Sequence, residues 1–202
     1  VEAFFDSNFA DAMDYLEDPV DTFLEKTASP LFLVQVFPWS FNRKVGLIGD
    51  AAHAIVPFYG QGMNCGFEDC AELNRLIARH NHDWDVIFPA YENARKPNGD
   101  AIAELSKRNF VEMSDLSGDR KFQLRKMIEA KFSARFPELW TPLYSMVTFS
   151  PDVPYSEALR IGDEQNRVME KIMGLPNIEE DWDEQPVMDQ LLSLAAEAFG
   201  DE

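Results

Sequence analysis

The 202-residue chain is poor in the residues that build metal centres and covalent cross-links, with two cysteines and three histidines. Cys65 and Cys70 stand five apart on an expected helix, a spacing that suits neither a metal site nor a disulfide, so both read as small buried apolar residues. His53, His80 and His82 lack the company a zinc site needs, and no metal is expected. No apolar run approaches the roughly 20 residues of a membrane-spanning helix. No secretory leader opens the sequence, so the expectation is a soluble, cytoplasmic protein with no transmembrane segment. Bases are scarce too: 18 Lys and Arg stand against 36 Asp and Glu. Residues 1–28 hold eight acids and one lysine, and residues 175–202 hold nine acids and no base. A nucleic-acid partner is excluded, because phosphates call for a basic stripe. The pairs Arg120-Lys121 and Arg125-Lys126 read as one solvated helix face.

What is present is a folded core: 46% hydrophobic residues, 16 Phe and 4 Trp. Residues 31–37 (Leu-Phe-Leu-Val-Gln-Val-Phe) have strand composition, and residues 44–48 form a short apolar run of the kind buried on both faces of a sheet. Helical spacing follows over 64–78 and 86–95; Pro97-Asn98-Gly99 reads as a turn, with Asp100 as the N-cap of a helix to about Leu116. Further helices are expected at 120–135, 155–173 and 187–199, with an irregular aromatic segment at 140–150 and an acidic linker at 174–186. Two strands alone make a marginal sheet, so further strands are expected from outside this sequence.

The most informative stretch is "GDAAHAIVPFYGQGMNCGFEDC", residues 49–70. Asp50 ends an apolar strand, where open α/β folds bind ligands. It either accepts hydrogen bonds from a polyol such as a cofactor's ribityl chain or caps the turn into Ala51-Ala52-His53. Gly60 and Gly62 let a ligand approach the backbone closely, and Met63 and Asn64 open a helix whose free N–H groups favour an electron-rich partner. Gly60, Gly62 and Gly66 do not form a dinucleotide fingerprint, since ten residues separate Gly49 from Gly60. His53 reads as a structural hydrogen-bonding residue. Asn109 shares a helical face with Ile102, Leu105, Met113 and Leu116, so it needs either a ligand or an interhelical hydrogen bond. Tyr144 is equally open between ligand and core.

This stretch resembles the second flavin-binding motif of the FAD-dependent aromatic hydroxylases. With "RNFVEM" at 108–113 and "PLYSMVTFS" at 142–150, it resembles the kynurenine-hydroxylating members in particular, over roughly residues 30–170. The resemblance implies a partial Rossmann-like α/β FAD/NAD(P)-binding fold followed by a mostly α-helical carboxyl-terminal region. It divides the chain into 1–40, the end of a substrate-domain sheet; 41–98, the second FAD-contacting segment; 99–174, the helical substrate pocket; and 175–202, an acidic linker and terminal helix.

It also implies FAD and NADPH as cofactors and kynurenine, a small aromatic amino acid, as substrate. Asp50 would bind the ribityl region, and Met63 and Asn64 the flavin ring through main chain. Pro57, Phe58 and the Gly60-Gln61-Gly62 turn would line the reaction pocket. Asn109 and Tyr144 would hold the amino-acid end of the substrate, with Met113 and Thr148 nearby. No side chain is assigned a catalytic step, since the chemistry belongs to the flavin. The Gly-rich pyrophosphate turn of such enzymes is not in this sequence. The chain therefore reads as a carboxyl-terminal half whose partner is the remaining amino-terminal half. Residues 187–199 are too short and acidic for an anchor, which suits a soluble, bacterial-type form. Two alternatives stay open: a hydroxylase of another aromatic substrate, or a non-catalytic helical interaction module built on residues 187–199.

Overall fold

The computed structural model describes residues 1–200, and the end of the acidic segment at Asp201 and Glu202 lies outside the described residues. The chain divides into two units, residues 1–31 and 32–202. The first unit holds three short helices, α1 (Glu2–Asn8), α2 (Ala10–Met13) and α3 (Pro19–Glu25), and no residue of these helices is buried. Phe5 gathers Phe4, Phe9 and Phe23 around it at ring distances near 6 Å.

The second unit is mostly helical. Its strands are β1 (Ser40–Phe41) and β2 (Val45–Gly46), a two-stranded antiparallel ribbon with Ser40 opposite Gly46. This corrects the strand expected over 31–37 and the buried strand expected over 44–48. Residues 31–37 form no regular strand and bond the rest through Val34 N–H to the Ala54 carbonyl at 2.8 Å, while β2 is exposed. β-Rich composition alone does not make a strand where no neighbour supplies a ladder. A Rossmann-like parallel sheet is not seen among the described residues.

Then come α4 (Asp50–His53), a 3-10 turn at Pro57–Tyr59, α5 (Gly62–His80) and α6 (Trp84–Val111), which continues into a π-helical stretch at Glu112–Leu116. α6 runs through Pro97-Asn98-Gly99 without a break, correcting the expected turn there. A proline inside a helix costs about 3 kcal/mol, and tertiary contacts on both sides offset it. Gly99 lies so close under Trp39 and His53 that an added Cβ would meet them at 3.1 and 3.2 Å. The Asn98 carboxamide oxygen accepts from Ser156 N–H at 3.1 Å and its hydroxyl at 3.0 Å. The residues that read as a turn are a crossing point.

The remaining helices are α7 (Arg120–Arg135), capped by Asp119 accepting from Phe122 N–H at 2.7 Å, α8 (Leu143–Phe149), α9 (Tyr155–Met173), α10 (Ile178–Asp181) and α11 (Gln185–Phe199). α8 corrects the irregular segment expected at 140–150, and α10 interrupts the acidic linker. Three apolar clusters form the core. One joins Trp39, Ala52, Leu76, Ile87 and Tyr91; a second joins Tyr59, Cys65, Ile102, Leu105, Met146 and Tyr155. The third joins Ile128, Phe132, Trp140, Met169, Ile172, Met188 and Leu191, from α7, α9 and α11. The apolar face of α11 is thus covered by its own chain, which removes the ground for reading it as an interaction module. No helix among the described residues is long and apolar enough to cross a membrane.

Leu191 is fully buried in the third cluster. Leu191→Ala is expected to lower the unfolding free energy by about 3 kcal/mol, read from urea melts followed by circular dichroism.

Candidate functional site

The turn after β2 leads into a shallow cavity of about 610 Å³ lined by Gly49, Asp50, Ile55, Pro57, Gly60, Gly62, Met63 and Phe67, among others. Gly49 (φ 60°) and Gly60 (φ 68°) hold left-handed conformations that glycine adopts at least cost, and a Cβ at either would point into open space. Asp50 is exposed, and its carboxylate makes no hydrogen bond or ion pair among the described residues. The turn it begins is closed by backbone alone, with Ala52 and His53 N–H donating to the Gly49 carbonyl at 2.8 and 3.0 Å. Asp50 therefore does not cap its turn. α5 starts at the cavity with no side-chain cap, which leaves the N–H groups of its first turn for a ligand or solvent. Met63 and Phe67 hold apolar side chains exposed beside it. A free carboxylate, uncapped N–H groups, open glycine backbone and uncovered apolar side chains fit a ligand with a polyol chain and a flat, electron-rich ring.

Behind this wall lies a buried ionic network that the sequence reading did not find. Asp69 of α5 is fully buried; its Oδ2 accepts from Gly49 N–H at 3.0 Å and from His53 Nε2 at 2.5 Å, and its Oδ1 accepts from Arg95 Nε at 2.7 Å. Arg95 also donates to Glu68 at 2.8 Å and to the Cys65 carbonyl at 3.1 Å. The signal was available: Asp69 lies on the apolar stripe of Cys65, Leu73 and Leu76, and Arg95 on that of Tyr91 and Ile102. Charges on an apolar stripe need partners. His53, Cys65 and Asp69 bring three possible metal ligands within 4.8 Å of one another, but the Arg95 guanidinium already supplies the compensating positive charge there. Cys65 has no exposed surface and lies 3.8 Å from His53 Nδ1, so it can present no thiol to a substrate. Cys70, expected to be buried, is exposed.

The other expected site residues fall in two neighbouring places. Gln61 is buried, its side-chain oxygen accepting from Asn64 at 2.8 Å and from the Tyr155 hydroxyl at 3.2 Å. Gln61, Asn64 and Thr148 line one cavity with Tyr155 and Phe149. The Thr148 hydroxyl is buried there without a protein partner. Asn109 lines another cavity, of about 540 Å³, with Tyr59, Arg108, Glu112 and Lys126. Its amide donates to the Phe58 carbonyl at 2.7 Å and approaches the sulfur of Met113 at 3.8 Å. Tyr144 stacks on Tyr59 at 5.5 Å, and Phe58 packs on Phe110 at 4.7 Å. Asn109, Phe58, Met113 and Tyr144 thus share one neighbourhood, while Thr148 faces the next cavity. Tyr59 and Glu112 are additional residues of this neighbourhood. Tyr59 sits inside the Pro57–Gly60 loop, and Glu112 lies three residues after Asn109, paired with Lys126 at 3.2 Å. Burial, with Glu112 adding to it, pushes the Tyr59 phenol well above its ordinary range, so it stays a neutral stacking partner.

Residues 20–106 match the family model for the FAD binding domain, a span that contains every residue of the cavity beside Asp50. Over 194 residues the chain is 52% identical to the kynurenine 3-monooxygenase of Flavobacterium johnsoniae, covering 96% of this chain and 43% of that protein. It is 50% identical over 193 residues to the kynurenine 3-monooxygenase of Christiangramia forsetii, and 40% identical over 175 residues to that of Caenorhabditis elegans. The chain spans less than half the length of these curated relatives.

The buried network sets a pH dependence. Burial alone lowers the His53 pKa, but hydrogen bonds to Asp69 and Cys65 outweigh it and raise it from 6.5 to about 10. For Asp69, burial raises the pKa, and the hydrogen bonds from His53, Arg95 and Gly49 outweigh that and hold it below 3.8. The raised His53 pKa contributes stability that is fully present below pH 6.5 and lost as pH rises through about 10. The depressed Asp69 pKa contributes stability present above 3.8 and lost as pH falls through its folded value. In urea melts at pH 6, 8 and 10, His53→Gln is expected to be less stable than the parent at pH 6, with the difference shrinking towards pH 10.

Proposed function

We propose that this chain is the part of an FAD- and NADPH-dependent aromatic hydroxylase that supplies one wall of the flavin site and much of the substrate pocket, and that the substrate is kynurenine. The observation that carries the reading is the unpartnered Asp50 carboxylate beside the uncapped start of α5, inside the span that matches the FAD binding domain. The names of relatives at 50% identity and above support the substrate. Segment 41–98 provides the cofactor contacts and segment 99–174 the substrate pocket. When bound, FAD reduced by NADPH supplies the activation of O₂ that puts a hydroxyl on the aromatic ring.

The residues of this chain bind, orient and exclude water. Asp50 would hold the ribityl hydroxyls of the cofactor, and the uncapped N–H groups of Gly62, Met63 and Asn64 would stabilise its electron-rich ring. Pro57, Phe58, Gly60 and Gln61 form the loop between cofactor and substrate, and the apolar members keep water from the reacting ring. Asn109 and Tyr144 hold the amino-acid end of the substrate, with Met113 and Thr148 at its flank. Glu112, three residues from Asn109, offers a carboxylate to the substrate's ammonium group.

In the complete protein, kynurenine is expected to stimulate NADPH oxidation with stoichiometric hydroxylated product. Asn109→Ala should raise the kynurenine KM roughly tenfold, the loss of one hydrogen bond to a charged group. Coupled hydroxylation of another aromatic acid but not of kynurenine would favour the second reading. The 202 residues alone, with the cofactor wall open on its far side, should show no stoichiometric flavin absorbance after incubation with FAD and desalting.

A further inference from the structure

We infer that Asp69 is a positioning residue for the cofactor: one buried carboxylate brackets the turn that carries Asp50 and fixes it to the helix that begins at Gly62. This rests on the flavin reading of Asp50 given above. Asp50 has no side-chain partner, so its place is set by its backbone alone. That backbone begins at Gly49, whose φ of 60° and ψ of −140° is a conformation costly to every other residue and held only where the surroundings determine it. The two ends of the turn, Gly49 N–H and the His53 ring, meet the same oxygen of Asp69 at 3.0 and 2.5 Å. Asp69 itself stands on α5, the helix whose first turn forms the other half of the cofactor wall. Arg95 holds the second oxygen at 2.7 Å and reaches the Cys65 carbonyl one turn back at 3.1 Å, so α6 locks the carboxylate from behind.

The chemistry requires an aspartate. Three donors converge on the group, and only a carboxylate accepts on both oxygens. An asparagine would turn an N–H₂ towards either Arg95 or the Gly49–His53 pair, and release one of them. Asp69 itself has no exposed surface and both its oxygens are taken by protein donors, so the clamping carboxylate touches no ligand. Its contribution to the cofactor passes through Asp50.

That dependence is measurable as a coupling. In the complete protein, FAD dissociation constants are obtained by flavin fluorescence quenching for the parent, Asp50→Ala, Asp69→Asn and the double variant. Asp69→Asn is expected to weaken FAD binding roughly tenfold when Asp50 is present and less than about twofold when residue 50 is already alanine, the non-additivity of two residues acting as one. Equal weakening in both backgrounds would mean that Asp69 serves the fold generally and would overturn the proposal while leaving the flavin reading intact. Unchanged FAD affinity in Asp50→Ala would overturn the flavin reading, and the clamp with it. If Asp69→Asn fails to fold by circular dichroism, His53→Ala, which releases only the far end of the turn, replaces it in the same cycle with the same two outcomes.

Discussion

A single carboxylate without solvent organises the amino-terminal part of the second unit. Taking Asp69 out of water costs several kcal/mol unless every lone pair finds a donor, and no one element of the chain supplies enough of them. The donors come from the β2–α4 connection (Gly49), from α4 (His53) and from α6 (Arg95), while Asp69 belongs to α5. Satisfying the charge therefore dictates where these four pieces stand. Removing one partner leaves a buried charge uncompensated, which is more costly than never having buried the group. The apolar packing follows: Trp39 lies on the His53 ring at 5.2 Å and on Tyr91 at 5.9 Å, and Gly99 leaves room for both Trp39 and His53 against α6.

From that centre, order spreads along α6. Its early part faces the ionic network, its middle carries Ala101, Ile102 and Leu105 into the second apolar cluster, and its end brings Asn109 to the Phe58 carbonyl. α9 joins from the other side, where the Tyr155 hydroxyl donates to the same Gln61 oxygen that receives the Asn64 amide. The loop from Pro57 to Gly62 is thus held at two residues, Phe58 and Gln61, by three hydrogen bonds from α5, α6 and α9, the arrangement that gives a binding loop a fixed geometry. The third cluster, of α7, α9 and α11, meets this region through α9 and through Lys126 of α7, which pairs with Glu112.

Much of the site was legible because its chemistry is local. The motif from Gly49 to Cys70 reads directly as turn, loop and helix start, although the strand expected up to Gly49 stops at Gly46 and the N-cap expected at Asp100 lies inside α6; α5, α7, α9 and α11 match the expected helical stretches. What escaped was non-local. Pro97-Asn98-Gly99 has turn chemistry in isolation, yet contacts with Ser156, Trp39 and His53 keep it helical. Residues 31–37 have strand composition but no partner to complete a ladder. Arg95 and Asp69, 26 residues apart, were each visible as a misplaced charge, but their pairing exists only once α5 and α6 lie side by side.

The two polar residues most exposed to functional argument differ in a way only the structure reveals. Asp50 keeps both oxygens free, so a ligand can take its full accepting capacity. Asn109 has already given one N–H to the Phe58 carbonyl. A substrate held by Asn109 through its carboxamide oxygen, or through its second N–H, would leave that tie in place. One drawing on the committed N–H would release the Phe58 carbonyl and loosen the loop that runs on to Gly60 and Gly62. Since that loop also borders the cavity beside Asp50, the proposed recognition would run through the free oxygen, which calls for a donor such as an ammonium group on the substrate. Glu112, three residues further along, offers its carboxylate to the same kind of group from beside its Lys126 partner. On the proposed reading, an amide oxygen and a carboxylate spaced along one helical turn would select a cationic head without disturbing the Phe58–Gly62 backbone.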